Sequence, residues 1–152
     1  MSVETHHFRY RSPVGTIGLE LAGDVCIRVM PGKIKAPDCS PDHPVALWLR
    51  AYFMGTHLPL PATAAPTSDF QARLRSALRE IPCGELRTYG ELAQMLNSSP
   101  RAVGQALGAN PLPILIPCHR VIAANGLGGF SCGLDWKKKL LKLEGAIAPK
   151  SS

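Results

Sequence analysis

Residues 99–122 read SPRAVGQALGANPLPILIPCHRVI, and the fold turns on how that stretch is divided. Ser99 supplies the hydroxyl of a helix N-cap, and Pro100 the fixed φ of a first helical position. Ala102, Val103, Ala106 and Leu107 then recur at helical spacing until Asn110-Pro111 breaks the pattern. The run that follows, PLPILIPCHRVI, is too interrupted by proline for a helix and is expected to form a buried strand or an extended core segment. Just upstream, Thr88 and Glu91 have capping-box spacing and open a short helix with Leu92, Ala93 and Leu96 facing inward. Two short helices across Asn97-Ser98-Ser99 predict a helix-turn-helix.

Downstream, Asn125-Gly126 marks a turn. The loop LGGFSCG is rich in glycine but lacks the order of a phosphate-binding loop. Asp135 is expected to cap a last helix, WKKKLLKLE, with Gly145 as its stop and the Lys137-Lys138-Lys139 run on a solvated face. Upstream, Ser68 and Gln71 form another capping-box pair, and Phe70, Leu74, Leu78 and Ile81 make one apolar stripe. Pro82, Cys83 and Gly84 end that helix. Residues 6–30 read as a β-meander of HFRYR, TIGLEL and VCIRVM, punctuated by S-P-V-G and A-G-D. Residues 31–66 hold seven of the fourteen prolines and one amphipathic segment, VALWLRAYF. The Pro/Ala/Thr stretch from Leu58 to Thr67 is the boundary candidate. The expected architecture is α/β (α+β), with a structural lobe over 1–66 and a mainly helical lobe over 67–152.

At 152 residues the chain buries roughly 70% of its unfolded surface and needs no staples. No apolar run reaches the ~20 residues of a membrane span. MSVETHHFRYRS lacks a basic leader with an apolar h-region, so a soluble, cytoplasmic location away from membranes is expected. The net charge of +6 is uneven: residues 1–69 balance six Lys/Arg against six Asp/Glu, while residues 70–152 hold eleven against five. A basic second half suits a polyanion, most simply nucleic acid. The five cysteines, Cys26, Cys39, Cys83, Cys118 and Cys132, are odd in number and form no C-x-x-C pair, which argues for reduced thiols. His6, His7, Cys26, Cys39 and His43 are too irregularly spaced for a metal site.

The chemistry is expected at Ile116-Pro117-Cys118-His119-Arg120-Val121. Free cysteines are commonly buried and inert. Cys118, however, lies at a proline-forced bend beside a histidine and an arginine that would lower its pKa. Glu144, on the last helix, is placed to orient His119 as the third member of a relay.

PCHRVI, preceded by RAVGQALGANPLPILI and followed by a glycine loop and LLKLEG, closely resembles the O6-alkylguanine-DNA alkyltransferases. The likeness is dense over residues 68–146 and looser over 8–67, where S-P-V-G-T-I and AYFMG resemble the family's N-terminal lobe. It implies a ribonuclease-H-like N-terminal lobe and a winged-helix-like C-terminal one. It also implies a monomer that binds duplex DNA, extrudes O6-alkylguanine or alkylated thymine, and transfers the alkyl group once and irreversibly to Cys118. No cofactor and no metal are implied.

The resemblance also assigns roles. His119 is the base acting through water, Glu144 its orienting carboxylate, and Asn110 the tie between the active-site turn and the helix-turn-helix. Arg101 fills the vacated stack, and Ala102 and Gly104 let the helix approach the minor groove. Tyr89 presses on the target phosphate and bonds the flipped guanine. Val121 and Ser131 read the guanine edge, Pro113 and Phe130 line the alkyl pocket, and Lys137 stands near the loop. Three departures stand out. Only twelve positions separate Tyr89 from Arg101, which shortens the turn; Cys132 replaces a usual glycine; and Leu74-Arg75 replaces an apolar-Trp pair. The alternatives are an alkyltransferase-like damage sensor, which lacks the cysteine, and a cysteine hydrolase using Cys118, His119 and Glu144.

Overall fold

The computed structural model describes residues 4–32 and 34–146. The chain divides into two compact units, residues 1–65 and 66–152. Mixed α/β architecture is present, with a three-stranded antiparallel sheet and five α-helices among the described residues.

In the first unit, β1 (His6–Ser12), β2 (Gly15–Ala22) and β3 (Val25–Pro31) form the meander in sequence order. Two-residue links, Pro13-Val14 and Gly23-Asp24, set the register, with Ser12 opposite Gly15 and Ala22 opposite Val25. Ile17, Leu19 and Leu21 alternate along β2 and are buried with Cys26 and Val29 of β3. Helix α1 (Pro44–Phe53) buries Val45, Ala46 and Leu49. Its N-cap is His43, whose Nδ1 accepts from the Val45 amide while Nε2 donates to the Gly23 carbonyl at 2.8 Å. The chain after α1 returns to β3 through backbone bonds from Cys26 to Ala62 and from Ala64 to Cys26.

The second unit opens with α2 (Asp69–Arg79), capped by the Ser68 hydroxyl on the Gln71 amide. The Gln71 side chain does not complete a capping box; its Nε2 donates instead to the Ala106 carbonyl at 2.9 Å. Two residues of β4 (Arg87–Thr88) lead into α3 (Tyr89–Met95), where Thr88 and Glu91 do form the reciprocal box. Asn97, at φ +53, turns the chain into α4 (Pro100–Gly108), capped by Ser99. Asparagine tolerates that left-handed conformation, so a short turn suffices.

PLPILIPCHRVI is neither strand nor simple extended segment. It forms a turn over Leu112–Ile116, a 3₁₀ turn at Cys118–Arg120, and two residues of β5 (Val121–Ile122) pairing parallel with β4. The prolines at 111, 113 and 117 remove donors that a longer strand would need. Helix α5 (Leu134–Leu143) starts from Gly133 rather than from an Asp135 cap; Asp135 lies in its first turn. Gly145, at φ +77, ends it.

Candidate active site

Pro117 sits at φ −77 and ψ 64, and the Cys118 amide donates to the Ile116 carbonyl at 2.7 Å. That is an inverse γ-turn, and the proline ring holds its φ. The turn before it is clamped by Asn110, which accepts from the Leu112 amide at 3.1 Å and donates to the Ile116 carbonyl at 3.3 Å. Inside that clamp Ile114 stands at φ +76, a strained conformation for a β-branched side chain, and is 1% exposed. Asn110 thus joins the end of α4 to the turn that carries the thiol.

Cys118 is buried, and burial pushes its thiol up to about 12; Asn110 and Lys137 pull it back only in part. The thiol lines a cavity of about 180 Å³ with Tyr89, Gly104, Leu107, Gly108, Gly129, Phe130 and Ser131. Of the residues expected around such a pocket, Tyr89, Phe130 and Ser131 are there, and Gly104, expected instead to let α4 approach the minor groove, also lines it. Pro113 and Val121 are not among the lining residues: Pro113 is buried in the turn, and the Val121 carbonyl accepts from Lys137. Leu107, Gly108 and Gly129 were not anticipated. Leu107 carries the periodicity of a core residue, and the glycines contribute backbone, which no residue pattern announces.

Behind the thiol lies a buried polar relay. His119 is fully buried, and its Nε2 is 2.6 Å from Glu144 Oε2. Its Nδ1 is buried with no hydrogen-bond partner among the described residues. Burial lowers the His119 pKa below its ordinary value, partly opposed by Glu144, with Arg120 and Lys137 adding to the decrease. The ring packs edge-on to Phe130 at 6.5 Å between centroids. Arg120 does not activate the thiol, as its place in the sequence suggested. Its guanidinium turns away onto Glu144, at 2.8 and 3.1 Å, and onto the Ile81 carbonyl at 2.7 Å.

Lys137 corrects the expectation of a solvated lysine face. It is fully buried, and its Nζ donates to the Val121 carbonyl at 2.7 Å and the Gly129 carbonyl at 2.9 Å. Burial lowers its pKa to about 8. Lys138 and Lys139 are exposed as expected. Tyr89 Oη accepts from the Gly129 amide at 3.2 Å, and its ring lies so close to Gly128 that a Cβ there would fall 2.7 Å from Oη. Arg101 is exposed in the first turn of α4, with Ala102 half-buried beside it. No group of three His, Cys, Asp or Glu side chains among the described residues has a metal-holding arrangement.

Residues 69–146 match the family model for the 6-O-methylguanine DNA methyltransferase DNA-binding domain. The chain spans about half the length of the first curated relatives it matches. A methylated-DNA–protein-cysteine methyltransferase of Methanopyrus kandleri is 57% identical over 70 residues, which are 46% of this chain and 53% of that protein. A like-named protein of Methanosarcina acetivorans is 43% identical over 90% of this chain and 96% of its own. Among solved structures, the Mycobacterium tuberculosis O6-methylguanine methyltransferase superposes with a TM-score of 0.79 at 34% identity, covering 97% of both chains. A Mycobacterium tuberculosis OGT in complex with DNA gives 0.76 at 35% identity over 95% of both. A match over half the chain and a likeness over nearly all of it lead to one conclusion: the chain belongs to the 6-O-methylguanine DNA methyltransferase family.

Proposed function

We propose that this chain repairs DNA by moving the alkyl group of O6-alkylguanine onto its own Cys118. The observation that carries the reading is a buried thiol lining a small, largely apolar cavity, backed by a histidine with one ring nitrogen held by a carboxylate and the other bare. A thiol pushed up to about 12 is protonated at neutral pH and needs a base to react. His119 takes the thiol proton through an intervening water, and Glu144 holds the imidazolium that results. Sulfur attacks the alkyl carbon as the carbon–O6 bond breaks, and the departing guanine recovers the proton on its ring nitrogen. The thioether is a very poor leaving group, so each molecule acts once and no cofactor takes part.

Residues 66–152 serve as the DNA-binding and transfer lobe and residues 1–65 as the structural one. Helix α4 enters the minor groove, with Arg101 taking the place of the extruded base and Ala102 and Gly104 admitting close approach. Tyr89, Ser131, Phe130 and the backbone near Val121 hold the flipped guanine, with Pro113 supporting the pocket from the turn. Tyr89 Oη must first leave the Gly129 amide. The protein works as an intracellular monomer on duplex DNA. No helix among the described residues is long and apolar enough to cross a membrane.

The test is an intact-mass and peptide-map assay with a duplex carrying one O6-methylguanine. One methyl adduct per molecule on the Cys118 peptide, absent in Cys118→Ser, is the expected outcome. Lesion-selective binding without an adduct would make the chain a damage sensor instead.

A further inference from the structure

One buried charge takes no part in the transfer just described. Arg120 is 8% exposed, and three of its nitrogens donate inside the protein: Nε to Glu144 Oε1 at 2.8 Å, Nη2 to Oε2 at 3.1 Å, and Nη1 to the Ile81 carbonyl at 2.7 Å. The guanidinium therefore grips both carboxylate oxygens, the paired geometry that a lysine cannot reproduce. His119 Nε2 takes a further position on Oε2.

This arrangement dictates where protons sit. Oxygens that receive two arginine N–H groups are acceptors, so the hydrogen between Glu144 and His119 belongs to Nε2. In a neutral ring Nδ1 is then bare. Taking the Arg120 cation away from a carboxylate whose side chain is 1% exposed makes proton uptake by the pair easier. With that proton the hydrogen bond loses its direction, and the ring is released to the other tautomer. The Arg120 cation opposes this uptake, and it also opposes protonation of His119 itself.

We propose that Arg120 is a positioning residue for alkyl transfer: by clamping Glu144 on both oxygens it holds the pair as carboxylate and neutral Nε2–H imidazole, which keeps Nδ1 free to receive the Cys118 proton. The inference rests on the transfer reading above. The charged and titratable groups around the pair are Glu144 at the end of α5, Lys137 within α5, Arg120 and Cys118 on the 3₁₀ turn, and exposed Cys83 beyond the end of α2. Among these, Arg120 stays cationic at every pH of interest, whereas Lys137, lowered to about 8, hydrogen-bonds to carbonyls rather than to Glu144.

The sign of the effect follows. Removing the cation raises the proton affinity of the Glu144–His119 pair, so the reactive form is lost at a higher pH on the acid side. A residue that merely holds the fold together would lower the rate by the same factor at every pH.

The experiment compares wild type with Arg120→Gln and Arg120→Lys in the full chain. Stoichiometric transfer from free benzylated guanine is followed between about pH 5 and pH 9, with no DNA needed. In a Cys118→Ser background, nitrogen-15 NMR of the imidazole reports the His119 tautomer and protonation midpoint without any alkyl transfer. The acid limb and the NMR midpoint of Arg120→Gln are expected to rise together by about one pH unit, about tenfold in rate below the midpoint, with the gap closing at alkaline pH. Arg120→Lys keeps a cation but holds one oxygen at a time, and moves by a smaller step in the same direction. An unmoved midpoint and an intact Nε2–H tautomer in Arg120→Gln overturn the proposal; if only Arg120→Lys folds, the same result in that variant overturns it. A wild-type chain that takes up no alkyl group, with a His119 midpoint that still follows Arg120, would sink the transfer reading and leave the clamp standing.

Discussion

At the scale of the residue, buried polar groups decide the behaviour of this protein. Because His119 is buried as a neutral ring with a lowered pKa, the unfolded chain binds a proton below its ordinary value of 6.5 that the folded chain refuses. Stability is therefore complete above that pH and falls as pH drops through it. Urea midpoints at about pH 7.5 and about pH 5.5 are expected to differ in that direction, and the difference to shrink in His119→Gln. Asn110 makes two hydrogen bonds that hold a strained turn, so Asn110→Ala is expected to cost about 2 kcal/mol in chemical denaturation and to slow adduct formation. Cys118 and His119 were legible because they are neighbours in an unusual proline-bounded segment. The direction in which Arg120 points was not, since adjacency along a 3₁₀ turn does not tell which side chain faces the thiol. Nor was the burial of Lys137, whose two neighbouring lysines do face solvent. Its acceptors are backbone carbonyls, Val121 and Gly129, which leave no trace in residue identity.

At the scale of the element, local chemistry made the helix starts legible. Ser68, Thr88 and Ser99 each accept from the amide three residues on. The information lies within one turn, so no tertiary knowledge is needed to read it. The start of α5 follows a different logic, with Gly133 at φ +99 bringing the chain out of the glycine loop, and Asp135 falls inside the helix. The segment from Pro111 to Ile122 reads as a buried strand or an extended core segment because its apolar character reflects burial alone, whereas Asn110 and the prolines set its conformation. Thr88→Ala removes the hydroxyl that accepts from the Glu91 amide, leaving only the bond from the residue 88 amide to the Glu91 carboxylate, and is expected to lower stability by about 1 kcal/mol. In the glycine loop, Gly128→Ala places a Cβ at φ +72 and 2.7 Å from Tyr89 Oη. It is expected to displace Tyr89 and slow transfer at least several-fold, measured as the rate of adduct formation, with a smaller effect on thermal stability.

At the scale of the whole molecule, the positive charge follows the division into units. Residues 70–152 carry the entire excess of Lys and Arg, and this asymmetry was readable from the sequence alone. Binding to duplex DNA is expected to weaken steadily as salt rises, read by fluorescence anisotropy, through release of condensed counterions. The division itself, at residues 65 and 66, falls within the proline-rich stretch that composition marked. The cluster of His119, Glu144 and Arg120 also has a consequence for heat tolerance. Three well-packed apolar side chains of the same volume would hold the C-terminal unit together as well or better at room temperature. The hydration of charged groups becomes less favourable as water warms, so the penalty for burying such a cluster shrinks on heating. Measured against an apolar replacement, the native relay should therefore lose less ground at high temperature than at low, and its handicap should be greatest in the cold.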